Sequence, residues 1–217
     1  DLATGDSVKV TDAGAKATAN NVSNFDANSG TTNSGTFILN AASGASSIDM
    51  TNAGSGTYDI RGGNSGDTLT GSAQADSLTG NNGDDTLQGK AGTDTMTGGA
   101  GADTFKVDIG ADIITDLGGS SGGDSDVLIV SDGATANITG VVSFTAGATT
   151  TSNSSGTVNI TTQTSGGIVN MTAASGGYNL NGQGGVDTLS GGKGDDTISG
   201  GVNADILKGG TGDDTLS

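Results

Sequence analysis

Between residues 62 and 115 an apolar residue returns every nine positions: Leu69, Leu78, Leu87, Met96, Phe105 and Ile114. Two places before each stands an aspartate: Asp67, Asp76, Asp85, Asp94, Asp103 and Asp112. Nine is not a helical period, and the interspersed glycines would weaken a helix at every turn. The same phase returns near the end of the chain, where Asp187, Asp196, Asp205 and Asp214 precede Leu189, Ile198, Leu207 and Leu216. Upstream of each block the apolar residues come in i, i+2 pairs: Phe37/Leu39, Ile48/Met50 and Tyr58/Ile60, then Val158/Ile160, Val169/Met171 and Tyr178/Leu180. Alternation of this kind, punctuated by Gly, Ser and Asn, predicts short strands joined by turns and stacked as coils of a β-solenoid. An antiparallel β-sandwich is the alternative for the two upstream halves.

A coarser repeat of about 120 residues overlies the fine one. SGTFILNAASGASSIDMTNAGSGTYDIRGGNSGDTL aligns with SGTVNITTQTSGGIVNMTAASGGYNLNGQGGVDTL, which pairs Met50 with Met171, Tyr58 with Tyr178 and Asp67 with Asp187. GDSVKVTDAGA and SDVLIVSDGA set Asp12 opposite Asp132. The chain therefore divides at the sequence level into a strand-rich half of a first module (1–61), a nonapeptide block with its connector (62–120), the corresponding half of a second module (121–181) and a second nonapeptide block (182–217). The expected fold class is all-β, with tandem modules of about 120 residues, the second cut short.

Composition narrows the chemistry. Gly occupies 42 positions, all 24 acidic residues are Asp, and His, Cys, Pro and Trp are absent. Few aromatics and a formal charge of −17 would suit a disordered chain, but disorder does not require periodic apolar residues. Without His or Cys there is no Ser-His or Cys-His nucleophile and no ordinary zinc site. The run GSSGG at 119–123 fits G-x-S-x-G but has no histidine to serve it, and it is expected to be a loop. The chain is therefore not expected to be an enzyme. The acidic balance argues against nucleic acid. The longest strongly apolar run, VLIV at 127–130, is far too short to span a membrane. No signal peptide is visible. The chain reads as beginning inside a repeating unit.

The nonapeptides carry a resemblance. GGAGADTFK, GGKGDDTIS and GGTGDDTLS fit G-G-x-G-x-D-x-U-x with U apolar, and so resemble the repeats-in-toxin (RTX) calcium-binding repeat. GSAQADSLT, GGVNADILK and VDIGADIIT depart from that pattern at the glycines. The spacing suits calcium on its own terms as well. Calcium takes six to eight oxygens from carboxylates and backbone carbonyls, glycine lets a tight turn aim carbonyls inward, and short Asp side chains act from within such a turn. The resemblance implies a parallel β-roll with six-residue turns and three-residue strands, two nonapeptides to a coil, and the U residues in a thin core.

Carried over, it implies calcium between the turns of Asp67 and Asp85, Asp85 and Asp103, Asp76 and Asp94, and Asp94 and Asp112. In the second block the pairs are Asp187 with Asp205 and Asp196 with Asp214. Backbone carbonyls of Gly62, Asn64, Gly80, Asn82, Gly98, Ala100, Gly191, Lys193, Gly209 and Thr211 would complete the shells. Six or more Ca2+ ions are expected, and six would bring −17 to about −5. The fifth-position Asp84, Asp195 and Asp213 are expected to face solvent. Arg61 and the six lysines are read as surface charges.

RTX proteins are typically secreted by a type I system and fold outside the cell. With two large modules and no reactive constellation, the expected role is an extracellular structural segment of a surface layer, matrix filament or adhesin. Self-association through the last coil, 209–217, is expected. The alternative is the secretion and folding part of an exported enzyme or toxin.

Overall fold

The computed structural model describes residues 2, 8–11, 14–118, 125–152 and 156–217. The GSSGG run and Asp12 lie outside these residues. Every strand pairing among the described residues is parallel, which removes the antiparallel sandwich. A three-residue strand followed by a Gly-rich turn cannot make a hairpin here, because the next strand belongs to the opposite sheet and pairing waits for a full coil.

One 12-stranded sheet runs the length of the molecule. Its main path is Lys16–Val22, Thr36–Ala41, Tyr58–Arg61, Ser77–Asn82, Thr95–Ala100, Ile109–Ile114, Thr135–Val141, Thr157–Thr162, Asn179–Asn181, Thr197–Ser199 and Thr215–Leu216. The facing wall is made by two sheets. One is 7-stranded and extends from Asn24–Asp26 through Ser47–Asp49, Thr68–Thr70, Thr86–Gln88, Thr104–Val107 and Val127–Val130 to Thr151–Ser152. The other, 4-stranded, holds Ser143–Thr145, Ile168–Asn170, Thr188–Ser190 and Ile206–Lys208. The chain is thus an all-β parallel solenoid. The long sheet is unbroken at 61/62 and 181/182, since Tyr58–Arg61 pairs with Ser77–Asn82 and Asn179–Asn181 with Thr197–Ser199.

Coil length follows the sequence. In the nonapeptide blocks Ser77 lies beside Thr95 and Thr197 beside Thr215, eighteen residues on. Between the blocks Ala111 lies beside Thr135 and Asn159 beside Asn179, so those coils are longer and their turns absorb the extra residues.

The core is one residue thick and lies between the two walls. Leu69, Leu78, Leu87, Met96, Phe105, Ile114, Leu189 and Ile198 are all 0% exposed, so the eighth position points inward throughout except near the end, where Leu216 is 44% exposed. The i, i+2 pairs upstream are buried too, from Phe37 and Leu39 to Tyr178 and Leu180. Tyr58 meets Phe37 edge-on with ring centroids 6.0 Å apart. Its hydroxyl donates to the Thr31 and Ser55 carbonyls, and the Tyr178 hydroxyl donates to Ser175.

Parallel sheets are usually covered on both faces. Here the outer face of the long sheet is polar and laddered instead. Asn179 donates to Asn159, which donates to Asn137, both at 2.8 Å, and the Thr97 and Thr115 hydroxyls lie 2.7 Å apart. Like side chains stacked in register satisfy one another along the axis.

Candidate metal centre

Each sixth-position aspartate stands immediately before a strand, except Asp112, which lies within Ile109–Ile114, so the coil geometry fixes its carboxylate at the corner of the roll. One carboxylate oxygen reaches back one coil. The amide of Asp67 donates to Asp85 Oδ1 at 2.6 Å, and that of Asp85 to Asp103 Oδ1 at 2.8 Å. On the other corner Asp76 donates to Asp94 at 2.8 Å and Asp94 to Asp112 at 3.0 Å. In the second block Asp187 donates to Asp205 at 2.9 Å and Asp196 to Asp214 at 3.0 Å. These are the same six pairs that the nonapeptide phase sets beside one another.

The ladder extends beyond the nonapeptides. Asp67 Oδ1 accepts from Ser46, Asp76 Oδ1 from Tyr58, Asp187 Oδ1 from Gly167 and Asp196 Oδ1 from Tyr178. Downstream, Asp103 donates to Asp126 Oδ1 at 2.9 Å, while Asp126 Oδ2 accepts from Gly118. Sequence reasoning missed Asp126 because it lies out of phase. The triplet Asp126-Val127-Leu128 nevertheless repeats the D-x-U signature of Asp67-Thr68-Leu69. Asp116 was missed as well, and it accepts the amides of Gly98 and Gly99.

The second oxygen is the chemically open one. Asp85, Asp94, Asp112 and Asp187 are at most 1% exposed, and their Oδ2 atoms are buried without a hydrogen-bond partner. A buried anion with an orphaned oxygen is costly unless a cation or proton meets it. At Gly80 a Cβ would collide with both Asp85 Oδ2 and the Gly98 carbonyl oxygen, and at Gly182 with Asp187 Oδ2 and the Gly200 carbonyl oxygen. Carboxylate and carbonyl oxygens therefore crowd the same place, which is why the first position is glycine in nine of the ten nonapeptides; ahead of Asp112 it is Val107. Among the described residues no three carboxylates gather at one point, so a cation here would need backbone carbonyls to fill its shell.

Gly62, Gly80, Gly98, Gly191 and Gly209 put their Cα atoms in these corners. The Gly62 carbonyl accepts from the Asn81 side chain. At the third position the carbonyls of Ala100, Lys193 and Thr211 accept the amides of Gly83, Gly176 and Gly194, bonds that run along the stack and leave each oxygen a second lone pair. Asn64 and Asn82 are joined through their side chains at 2.9 Å.

Burial sets the protonation behaviour of the ladder. Desolvation pushes Asp94 and Asp103 up to about 7, with the neighbouring aspartates adding to it. It pushes Asp85 and Asp112 up to about 6, partly offset by backbone amide donors. Asp76 and Asp196 are raised by the same cause. Carboxylates so placed favour a neutralising partner.

The fifth-position residues are exposed, as expected, yet they are not merely solvated. Asp84 Oδ1 accepts from Ala102 at 2.8 Å, and Asp195 Oδ1 from Asp213 at 2.9 Å. Arg61 pairs with Asp59 at 2.5 Å on the surface.

A family description of the RTX calcium-binding nonapeptide repeat matches residues 61–96, 79–114 and 181–216. These segments are RTX calcium-binding nonapeptide repeats. The aspartate ladder lies largely within them, and the stacked corners form a calcium-binding RTX β-roll. No curated protein and no solved structure matches the chain. Among the described residues no helix is long and apolar enough to cross a membrane.

Proposed function

We propose that this chain is a calcium-dependent extracellular structural module, part of a surface layer, matrix filament or adhesin and exported in the manner typical of RTX proteins. The observation that carries it is the set of buried aspartates, one per coil at each corner, whose outer oxygens have no protein partner at Asp85, Asp94, Asp112 and Asp187. Calcium bound there would supply positive charge and oxygen coordination to a slim core. The residues themselves do the rest. Oδ1 of each Asp ties its turn to the coil before it, and at Asp85, Asp94 and Asp187 the first-position glycine leaves room for oxygens in place of a Cβ.

The structural role is supported by the way the strand-rich halves join the RTX coils in one sheet. The same bonds recur at the aligned positions of the two halves. Ala53 donates to Met50 and Ala174 to Met171, and both tyrosine amides cap an aspartate in the next coil. A tandem module of about 120 residues, repeated along a longer solenoid, accounts for this recurrence. The absence of His and Cys from the sequence supports a module without catalysis. Coil-on-coil stacking in a single parallel register supports association with further copies.

Circular dichroism in EGTA and then in excess calcium tests the reading. The chain should gain β structure cooperatively with calcium, and an unchanged β spectrum in EGTA overturns it. Sedimentation in millimolar calcium should show assemblies that grow with concentration. A monomer throughout would favour the secretion-and-folding role instead.

A further inference from the structure

The aspartates at the sixth position are not equivalent, and the difference lies in the turn behind them. Asp67 Oδ2 accepts the amide of Gly63 at 2.6 Å, within its own turn. Asp76 Oδ2 accepts both the amide and the hydroxyl of Ser72, at 2.6 and 2.8 Å. Asp196 Oδ2 accepts the amide of Gly192 at 2.9 Å. In each case the donor is the second residue of the nonapeptide, and none of the three has a positive φ.

At Asp85, Asp94 and Asp187 the second residues are Asn81, Lys90 and Gln183, with φ of 77°, 77° and 59°. A left-handed residue turns its peptide plane over and takes that amide out of the carboxylate's reach. The Oδ2 atoms of these three are buried and unpartnered. Asp112 is a fourth with an orphaned Oδ2, though its second residue, Asp108, has no positive φ. Non-glycine residues adopt positive φ at a cost, so three such residues at one position of the repeat mark a turn shape that something other than local preference holds.

Asp67 and Asp187 make the comparison sharp, because they occupy the same place in the longer repeat. Both accept an amide on Oδ1 from the coil before, Ser46 in one case and Gly167 in the other, each at 2.7 Å. They differ in the other oxygen: Gly63 caps Asp67, whereas Gln183 leaves Asp187 open.

We infer that the chain contains two classes of RTX turn: amide-closed turns ending in Asp67, Asp76 and Asp196, which take no calcium, and open turns ending in Asp85, Asp94, Asp112 and Asp187, which take it. This rests on the calcium reading above and divides it. The amide already satisfies the closed oxygen and holds it toward its own turn, so a cation gains less there than at an oxygen buried with no partner. The closed pair Asp67 and Asp76 adjoins the strand-rich coils, so residues 36–79 form a metal-independent platform. The coils from Gly80 to Ile114 wind onto it when calcium arrives.

Crystals of the whole chain grown in calcium and soaked in terbium give the direct test through anomalous scattering. Peaks are expected beside Oδ2 of Asp85, Asp94, Asp112 and Asp187 and none beside Oδ2 of Asp67, Asp76 or Asp196. A peak at any of the latter three overturns the two-class assignment while leaving the calcium reading intact. Peaks nowhere, together with folding that ignores calcium, sink the calcium reading itself. In solution, ions bound at saturation should be counted by native mass spectrometry. Asp85→Asn and Asp94→Asn should each lose at least one ion. Asp67→Asn and Asp76→Asn should keep the wild-type count while unfolding more easily, and a lost ion in either also overturns the assignment.

Discussion

The amide of Asp67 donates to Oδ1 of Asp85 across 2.6 Å, joining two turns that are eighteen residues apart in sequence. Asp85 therefore does two things at once. One oxygen fastens the preceding turn, and the other is buried with no partner. Its neighbour Asp84 points outward and takes only the Ala102 amide.

Asp85→Asn should accordingly raise the calcium midpoint for folding by tenfold or more, since a charged acceptor in a buried hydrogen bond contributes on the order of 2 kcal/mol. Asp84→Asn should shift the midpoint only slightly, and less in added salt. Calcium titrations of both variants, followed by β content, check this. Equal shifts would mean that the ligand phase is displaced.

The first-position glycines should be intolerant of any side chain. Gly80→Ala would drive a methyl group into Asp85 and the Gly98 carbonyl, and it should lower the melting temperature in calcium by many degrees. Gly44→Ala meets nothing within 4 Å and has no positive φ, so it should be neutral or slightly stabilising. Thermal melts of the two in the same buffer give the contrast.

Without metal the ladder should prefer acid. Asp94 and Asp103, raised to about 7, and Asp85 and Asp112, raised to about 6, bind protons more tightly folded than unfolded. Their contribution to stability is fully present below the ordinary carboxylate pKa of about 4 and is lost as pH rises through 6 to 7. In EGTA the chain should thus hold more β structure at pH 4.5 than at pH 8. With calcium the dependence should invert in the midpoint, which should climb as pH falls below about 6 and protons compete for the same oxygens. Circular dichroism against pH in EGTA, with a calcium titration at each pH, decides both.

Magnesium should replace calcium poorly. It requires strict octahedral geometry and keeps its waters, whereas these corners offer crowded carboxylate and carbonyl oxygens in a dry space. Ten millimolar magnesium restoring the full calcium spectrum would contradict this.

Much of the roll was legible in the sequence because its repeat is strict. An Asp in fixed phase, with an apolar residue two places on, settles both the corner and the inward face, and all six expected Asp pairs are joined by an amide. Asp126 escaped because the turn before it has a different length, so phase fails although the D-x-U triplet survives. The upstream halves were harder. Alternating strands suit either a sandwich or a solenoid, and only long-range partners such as Phe37 beside Tyr58 separate them. The closing of Asp67 by Gly63 depends on one backbone dihedral, which a glycine leaves undetermined.

The long unbroken sheet also sets how the molecule would bear tension. Pulled along its axis, the coils are links in series, each held to the next by a few parallel hydrogen bonds, and they would peel away one at a time. An eighteen-residue coil pays out about 60 Å of chain when it lets go. A tether built this way yields in even steps, and the calcium concentration around it would set the force at which each step occurs.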